Sequence, residues 1–129
     1  FERIDIDYEG SFFGMVASDQ ADLVLFGLRG HIFRSTNAGD NWQDMSLSLP
    51  ITLTSGTLLK DGGIILIDET GQVLLSRDQG KSFSRIKVAT PSAFTDVIET
   101  PTGDLLLSGI RGISRISVEN LNVKVTGNE

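Results

Sequence analysis

Apolar residues in this chain gather in short runs, and the runs recur at even spacing. DLVLFGL (22–28), GIILID (63–68) and DLLLSGI (104–110) are rich in Leu and β-branched residues and are bounded by Gly and Asp. Runs of that length, closed by turn-forming residues, read as buried strands. Ahead of them lie SDQAD (18–22), KDGG (60–63) and TPTGD (100–104), whose Asp, Gly and Pro supply turn geometry. Behind them a Gly turn leads into HIFRS, QVLLS and ISRIS. No stretch sustains helical periodicity, so the pattern predicts an all-β protein.

The spacing is a repeat of 41 residues. Phe1, Trp42 and Phe83 keep it, as do Ser35, Ser76 and Ser117, Gly30, Gly71 and Gly112, and Leu25, Leu66 and Leu107. Four short strands in a unit of this size are the signature of a β-propeller blade, a four-stranded antiparallel sheet. The chain is therefore expected to be a single propeller fragment, 1–129, made of three units at about 1–41, 42–82 and 83–123. Each unit is expected to run in the strand order D-A-B-C, with a last D strand near 123–127. The third unit departs at one place: Leu121 replaces the Gly of 39 and 80, and Lys124 replaces the aromatic of 42 and 83. A more polar terminal repeat is what a capping unit needs. The tail TGNE reads as a natural C-terminus, whereas Phe1 sits at the aromatic position of a loop that is otherwise missing. Three blades leave open edges, and propellers usually have about four to eight. The fragment is thus expected either to pair with a second copy as a six-bladed ring or to belong to a longer chain.

Composition removes several chemistries. A net charge of -6 argues against an electrostatic grip on nucleic acid or anionic lipid, and no apolar run is long enough for a membrane helix. No signal peptide is visible, and the compartment stays open. Without cysteine there is no disulfide and no thiolate metal site, and the sole histidine, His31, has no second His or Cys to share a metal with. The glycines of GDNW and GLRG lack the strand–loop–helix setting of a phosphate-binding loop. No metal or cofactor is expected.

Two loops repeat one chemistry. In SRDQGKSF, Ser76, Asp78, Gly80 and Phe83 form the pattern Ser-x-Asp-x-Gly-x-x-aromatic; in STNAGDNW, Ser35, Asn37, Gly39 and Trp42 form it with Asn for Asp. Asp or Asn can bond its own backbone two residues on, Gly takes positive φ freely, and the aromatic buries at the start of the next strand. The pattern resembles the Asp-box, or BNR repeat, which holds the C–D hairpin of sialidases and of many non-enzymatic propellers. Its role here is expected to be structural.

In up-and-down blades successive turns alternate between faces, so the B–C turns and D–A connections lie opposite these loops. That face collects Arg29 and Arg111, one turn position two units apart with Thr70 between them. It also collects His31 and, in the connection DIDYEG, Tyr8 beside Asp5, Asp7 and Glu9. Two arginines on one rim suit a carboxylate or other anion. His31 reads as an exposed strand-start residue, and the three carboxylates as a solvated strand edge. The run GLRGHIFRSTNAGDNW resembles the photosystem II stability/assembly factor-like proteins, most strongly in the first unit and most weakly in the third. That resemblance implies a non-catalytic scaffold with a protein partner and an arginine-lined face, carried by Arg29 and Arg111; Thr70 departs from it. It favours a periplasmic or otherwise exported location, and related bacterial proteins exist for which it implies no particular partner. The candidate binding residues are Arg29, Arg111, His31 and Tyr8. The alternative is a sialidase-like glycoside hydrolase fragment, which needs a Tyr/Glu nucleophile pair; Tyr8 and Glu9 would point to opposite sides of a strand.

Overall fold

The structure is a computed structural model, and it describes residues 2–4, 6, 8, 10–18, 22–47, 51–89 and 91–117. The chain forms three antiparallel sheets. The first is β1 (Phe12–Ala17), β2 (Leu23–Gly27), β3 (Ile32–Ser35) and β4 (Gln43–Asp44), in that order across the sheet. The second is β5 (Leu53–Leu58), β6 (Ile64–Asp68), β7 (Val73–Ser76) and β8 (Ser84–Ile86). The third has β9 (Phe94–Glu99), β10 (Leu105–Gly109) and β11 (Gly112–Ile116). The fold is all-β. Each sheet is a simple meander, which tight Gly and Asp turns permit because antiparallel neighbours need no crossover. Among the described residues no helix is long and apolar enough to cross a membrane.

Among the described residues of the expected leading D strand, 2–4, 6 and 8 carry no strand. The D strand expected near 123–127 lies outside the described residues.

The sheets stack face to face. Val24, Phe26, Ile32 and Val16 of the first pack against Leu53, Ile64, Leu66 and Leu74 of the second. The opposite side of the second sheet, Ile65, Ile67, Val73 and Leu75, packs against Phe94, Val97, Leu105, Leu107 and Ile116 of the third. The second sheet is thus covered on both sides, so every residue of β6 and β7 is buried. Its run IILI (64–67) is continuously apolar for the reason fully buried strands usually are. Each such side chain contributes roughly 1.5–3 kcal/mol.

The inner strands β5 and β9 run in the same direction at the same level. Thr54 Oγ1 donates to the Phe94 carbonyl at 2.8 Å near their starts, and Lys60 N donates to Glu99 Oε1 at 2.8 Å near their ends. Gly56 of β5 is hemmed in on two sides: a β-carbon there would come within 2.8 Å of the Ile65 carbonyl in its own sheet and 3.1 Å of Val16 Cγ2 in β1. Gly is the residue that fits.

The 41-residue period fails at one hairpin. In the first and second sheets the B–C ladders close at Phe26↔Ile32 and Ile67↔Val73, leaving five residues in each turn. In the third the ladder continues to Gly109↔Gly112, so only Ile110 and Arg111 remain. The pairing of β10 with β11 is displaced by one residue, and a displacement of one flips the strand over. The cause is Arg115. One period earlier its place is held by Leu74, which faces the first sheet. Kept in phase, Arg115 would be driven unpaired into the core beneath the third sheet. Displaced, it turns outward to Asp104 at 2.9 Å, and Ile116 takes the inward place.

Candidate functional site

The loops after β3 and β7 are nearly superimposable in their bonding. Ser35 Oγ donates to Asn37 Oδ1 at 2.9 Å and accepts from Gly39 N at 2.8 Å; Ser76 Oγ donates to Asp78 Oδ1 at 2.8 Å and accepts from Gly80 N at 2.8 Å. The side-chain acceptor reaches four residues on, where Asn41 N and Ser82 N each donate to it at 2.9 Å. The N–H two residues after the Asn or Asp, of Gly39 and Gly80, is thus received by serine rather than by the expected side chain, and serine also accepts from Asn37 N at 3.3 Å and Asp78 N at 3.4 Å. Serine is the hub. Because Oδ1 only accepts, Asn replaces Asp without changing the loop. Trp42 and Phe83 are half-buried, and Trp42 Nε1 donates to the Gly39 carbonyl at 3.0 Å. Burial opposes ionisation of Asp78, but the hydroxyl and backbone of Ser82 and the hydroxyl of Ser76 outweigh it and hold the carboxyl below its usual range.

The second of these loops also docks on the first sheet. Gly80 has φ +94 and sits so close that a β-carbon there would lie 2.8 Å from Val24 Cγ2. Beside it, Arg34 Nε donates to the Gln79 carbonyl at 2.7 Å, and Arg34 Nη2 meets Asp22 Oδ2 at 3.2 Å. Both side chains are under a tenth exposed, so a buried ion pair within the first sheet orients the arginine that bonds across to the second. Sequence reasoning missed it; the signal was an arginine inside an otherwise apolar strand, followed by a Ser-x-Asn loop.

The B–C turns lie together at the opposite end. Leu28 N donates to the Ser11 carbonyl, Glu69 N to Thr52 and Ile110 N to Ala93, the same bond three times at one-period intervals. Arg29, Thr70 and Arg111 each follow that donor directly, and all three are exposed. The arginines therefore occupy equivalent places on two flanking turns, although the turns differ: Arg29 sits at φ +57 in a single 3-10 turn, Leu28–Gly30, and Arg111 in the two-residue turn of the displaced hairpin. No contact joins them. The middle turn is built otherwise. Asp68 stands where the outer sheets have Gly27 and Gly109; its Oδ1 accepts from Thr70 N, Thr70 Oγ1 and Gln72 N at 2.8, 2.8 and 2.9 Å. That accounts for a threonine at position 70: its hydroxyl helps satisfy a carboxylate with no access to water.

His31 and Tyr8 come together on the first of these turns. Their ring centres are 4.3 Å apart, and Tyr8 also packs on Phe12 and Phe33 at 5.3 and 5.5 Å. His31 is half-buried rather than exposed, because Tyr8 covers it and Ser46 Oγ lies 3.2 Å from its Nδ1. The Ser46 hydroxyl and backbone N–H, helped by the nearby His31 and opposed by burial, hold Asp44 below the usual carboxylate range. Asp5, Asp7 and Glu9 lie outside the described residues. Among the described residues no group of three His, Asp or Glu side chains is placed to hold a metal ion.

Three stacked antiparallel sheets with their inner strands parallel to one another are blades of a β-propeller, present here as a partial ring. Solved structures bear this out. The chain is similar to YCF48 bound to a D1 peptide, with TM-score 0.74 and 18% identity over 91% of this chain and 43% of that one. It is similar also to YCF48 from Cyanidioschyzon merolae, with TM-score 0.66 and 19% identity over 90% and 42% of the two chains. An ancestral GH74 enzyme matches with TM-score 0.67 and 14% identity over 84% of this chain and 17% of the enzyme. The chain thus spans less than half the length of each. No protein-family model matches it, and no curated protein does.

Proposed function

We propose that this chain is a non-catalytic propeller module whose B–C end holds a protein partner through acidic or carboxylate groups. The observation that carries the reading is the threefold backbone bond that presents Arg29 and Arg111 on equivalent exposed turns. A guanidinium recognises a carboxylate in a planar, two-point fashion, so two of them on one rim select for negative charge. His31 and Tyr8 add an aromatic shelf beside Arg29. The resemblance to photosystem II stability/assembly factor-like proteins supports this, as does the fold shared with YCF48, which has been solved with a D1 peptide bound. The test is fluorescence anisotropy with a labelled Glu-rich peptide and a Gln-rich counterpart. Saturable binding of the first alone is expected, weakened at least about tenfold in Arg29→Ala/Arg111→Ala and unchanged in Arg85→Ala. Binding that ignores the double substitution, or no binding, would overturn the reading.

A glycoside hydrolase fragment is the second reading, favoured by the match to a GH74 enzyme. Against it, the Tyr8 ring is engaged with Phe12, His31 and Phe33 as an apolar anchor. Turnover of a fluorogenic sialoside that Tyr8→Phe abolishes would put this reading first.

A further inference from the structure

We propose that Glu69 sets the charge pattern of the partner at the B–C rim, which fits an extended segment presenting acid, base and acid at intervals of three residues. The inference rests on the function proposed above and adds to it a position of opposite sign. The bond that recurs in all three turns is donated by the N–H groups of Leu28, Glu69 and Ile110, one period of 41 residues apart. The turns therefore hold equivalent pairs, Leu28–Arg29, Glu69–Thr70 and Ile110–Arg111. In the middle pair an acid and a hydroxyl replace the apolar residue and the cation. Thr70 Oγ1 is committed to Asp68 Oδ1 at 2.8 Å, so the group this turn offers is the Glu69 carboxylate. Glu69 is exposed and, like Arg29 and Arg111, makes no side-chain hydrogen bond or ion pair among the described residues. Its support is fixed: Asp68 Oδ1 also receives Thr70 N and Gln72 N, and a β-carbon on Gly71 would lie 2.5 Å from Ser92 N.

Spacing selects the shape of the partner. Packed sheets lie roughly 10 Å apart, so neighbouring turns are separated by about that distance and the two arginines by about twice it. That is too far for one carboxylate to bridge. A polyproline II segment has about three residues per turn and rises about 3.1 Å per residue, so residues three apart share one side at intervals of about 9 Å. A β-strand would turn the middle residue of such a triplet to the opposite side. A segment in the first conformation, with carboxylates at the two ends of the triplet and Lys or Arg between them, meets Arg29, Glu69 and Arg111 with an opposite charge at each place. An acid in the middle meets Glu69 as a like charge. Charge matching at a rim governs the choice of partner more than the strength of binding, so Glu69 sorts among acidic segments rather than capturing them.

The test uses three labelled peptides, Glu-Pro-Pro-X-Pro-Pro-Glu with Lys, Gln or Glu at X, and reads their binding by fluorescence anisotropy. The Lys peptide is expected to bind tightest and the Glu peptide weakest, about fivefold apart. Glu69→Gln should bring the two within about twofold, and Glu69→Lys should reverse their order, with circular dichroism confirming that both variants fold. Asp40→Lys makes the same change of net charge in the exposed loop at the opposite end, and should leave the order as it is. If no peptide binds, the rim reading and this inference are both overturned. If the peptides bind and Arg29→Ala/Arg111→Ala releases them, but the residue at X makes no difference or Glu69→Lys leaves the order intact, this inference alone is overturned. A reversal produced equally by Asp40→Lys would overturn it too, since net charge would then be the cause.

Discussion

The second and third sheets are drawn from one repeat, and they differ in what a single side chain forbids. In the second, Leu74 can face inward, so β7 stays in phase with the period and both sides of the sheet are sealed. In the third, Arg115 cannot face inward, and β11 moves by one residue to release it. The move preserves the core by presenting Ile116, but it leaves Ile113 on the far side in contact with solvent. A periodic sequence therefore specifies the unit, while the polarity of one position specifies which side each strand shows. It follows that residues one period apart need not be energetic equivalents.

The largest test of that difference compares Ile65 with Leu106, which occupy the same place in the repeat. Ile65 is fully buried between the second and third sheets, whereas Leu106 is half-buried on the outer side of the third. Ile65→Ala should cost roughly 2–5 kcal/mol, the usual range for a buried Ile truncation that leaves a cavity, and Leu106→Ala about 1 kcal/mol or less. Urea unfolding at low micromolar protein measures both. Equal losses there would mean that the two sheets do not differ in burial after all.

A sharper test exchanges the two residues that set the register. Arg115→Ile/Ile116→Arg gives β11 the order found in β3, where Phe33 precedes Arg34. In phase with the period, the new Ile would face the second sheet and the new Arg would face outward. The expected outcome is a one-residue return of β11, seen as Leu107 gaining cross-strand contacts with residue 115 in place of Ser114, with stability within about 1 kcal/mol of the parent. If the register held, the arginine would be buried without a partner, and a loss of roughly 3–5 kcal/mol would reveal it.

The blade architecture was legible in the sequence because it rests on features that composition and spacing carry. Short apolar runs, Gly and Asp turns and the interval of 41 suffice to give four-stranded antiparallel units. In the two Ser-x-Asp/Asn-x-Gly loops serine, not the acid, is the centre of the bonding, a ranking that the residue pattern does not give. The displaced hairpin was not read, since self-similarity invites alignment and alignment hides polarity; SRI beside VLLS contained the clue. The buried Arg34–Asp22 pair and the buried Asp68 were missed because burial depends on which sheets meet, which no local pattern records. The candidate binding turns could be assigned to one end from hairpin alternation alone. The stacking of Tyr8 on His31 could not, because it depends on where the connecting segment returns.

The smallest difference between the two sheets lies in the ion pairs at their A–B ends. Asp61 pairs with Arg77 in the second sheet, and Asp104 with Arg115 in the third. Asp61 is held below its usual carboxylate range, first by the backbone N–H of Gly63 and then by Arg77, with burial opposing. A carboxyl whose folded pKa is depressed adds stability above its unfolded pKa, near pH 4, and loses it as pH falls through the lower folded value. Asp61→Asn should therefore flatten the acid limb of the stability profile below about pH 4. It should leave a loss under about 1 kcal/mol at pH 7, since both groups are substantially exposed and solvent screens them. The backbone bond that leads this effect needs no salt-sensitive partner. Raising sodium chloride from about 0.1 to 1 M, which shortens the screening length from roughly 10 to 3 Å, should thus weaken the acid dependence only slightly. Asp104→Asn offers the contrast, because its arginine partner also holds the register of β11 outward. If that substitution moved the β10–β11 pairing, the ion pair would be a cause of the displaced hairpin; if the pairing stayed, the exclusion of Arg115 from the core suffices by itself.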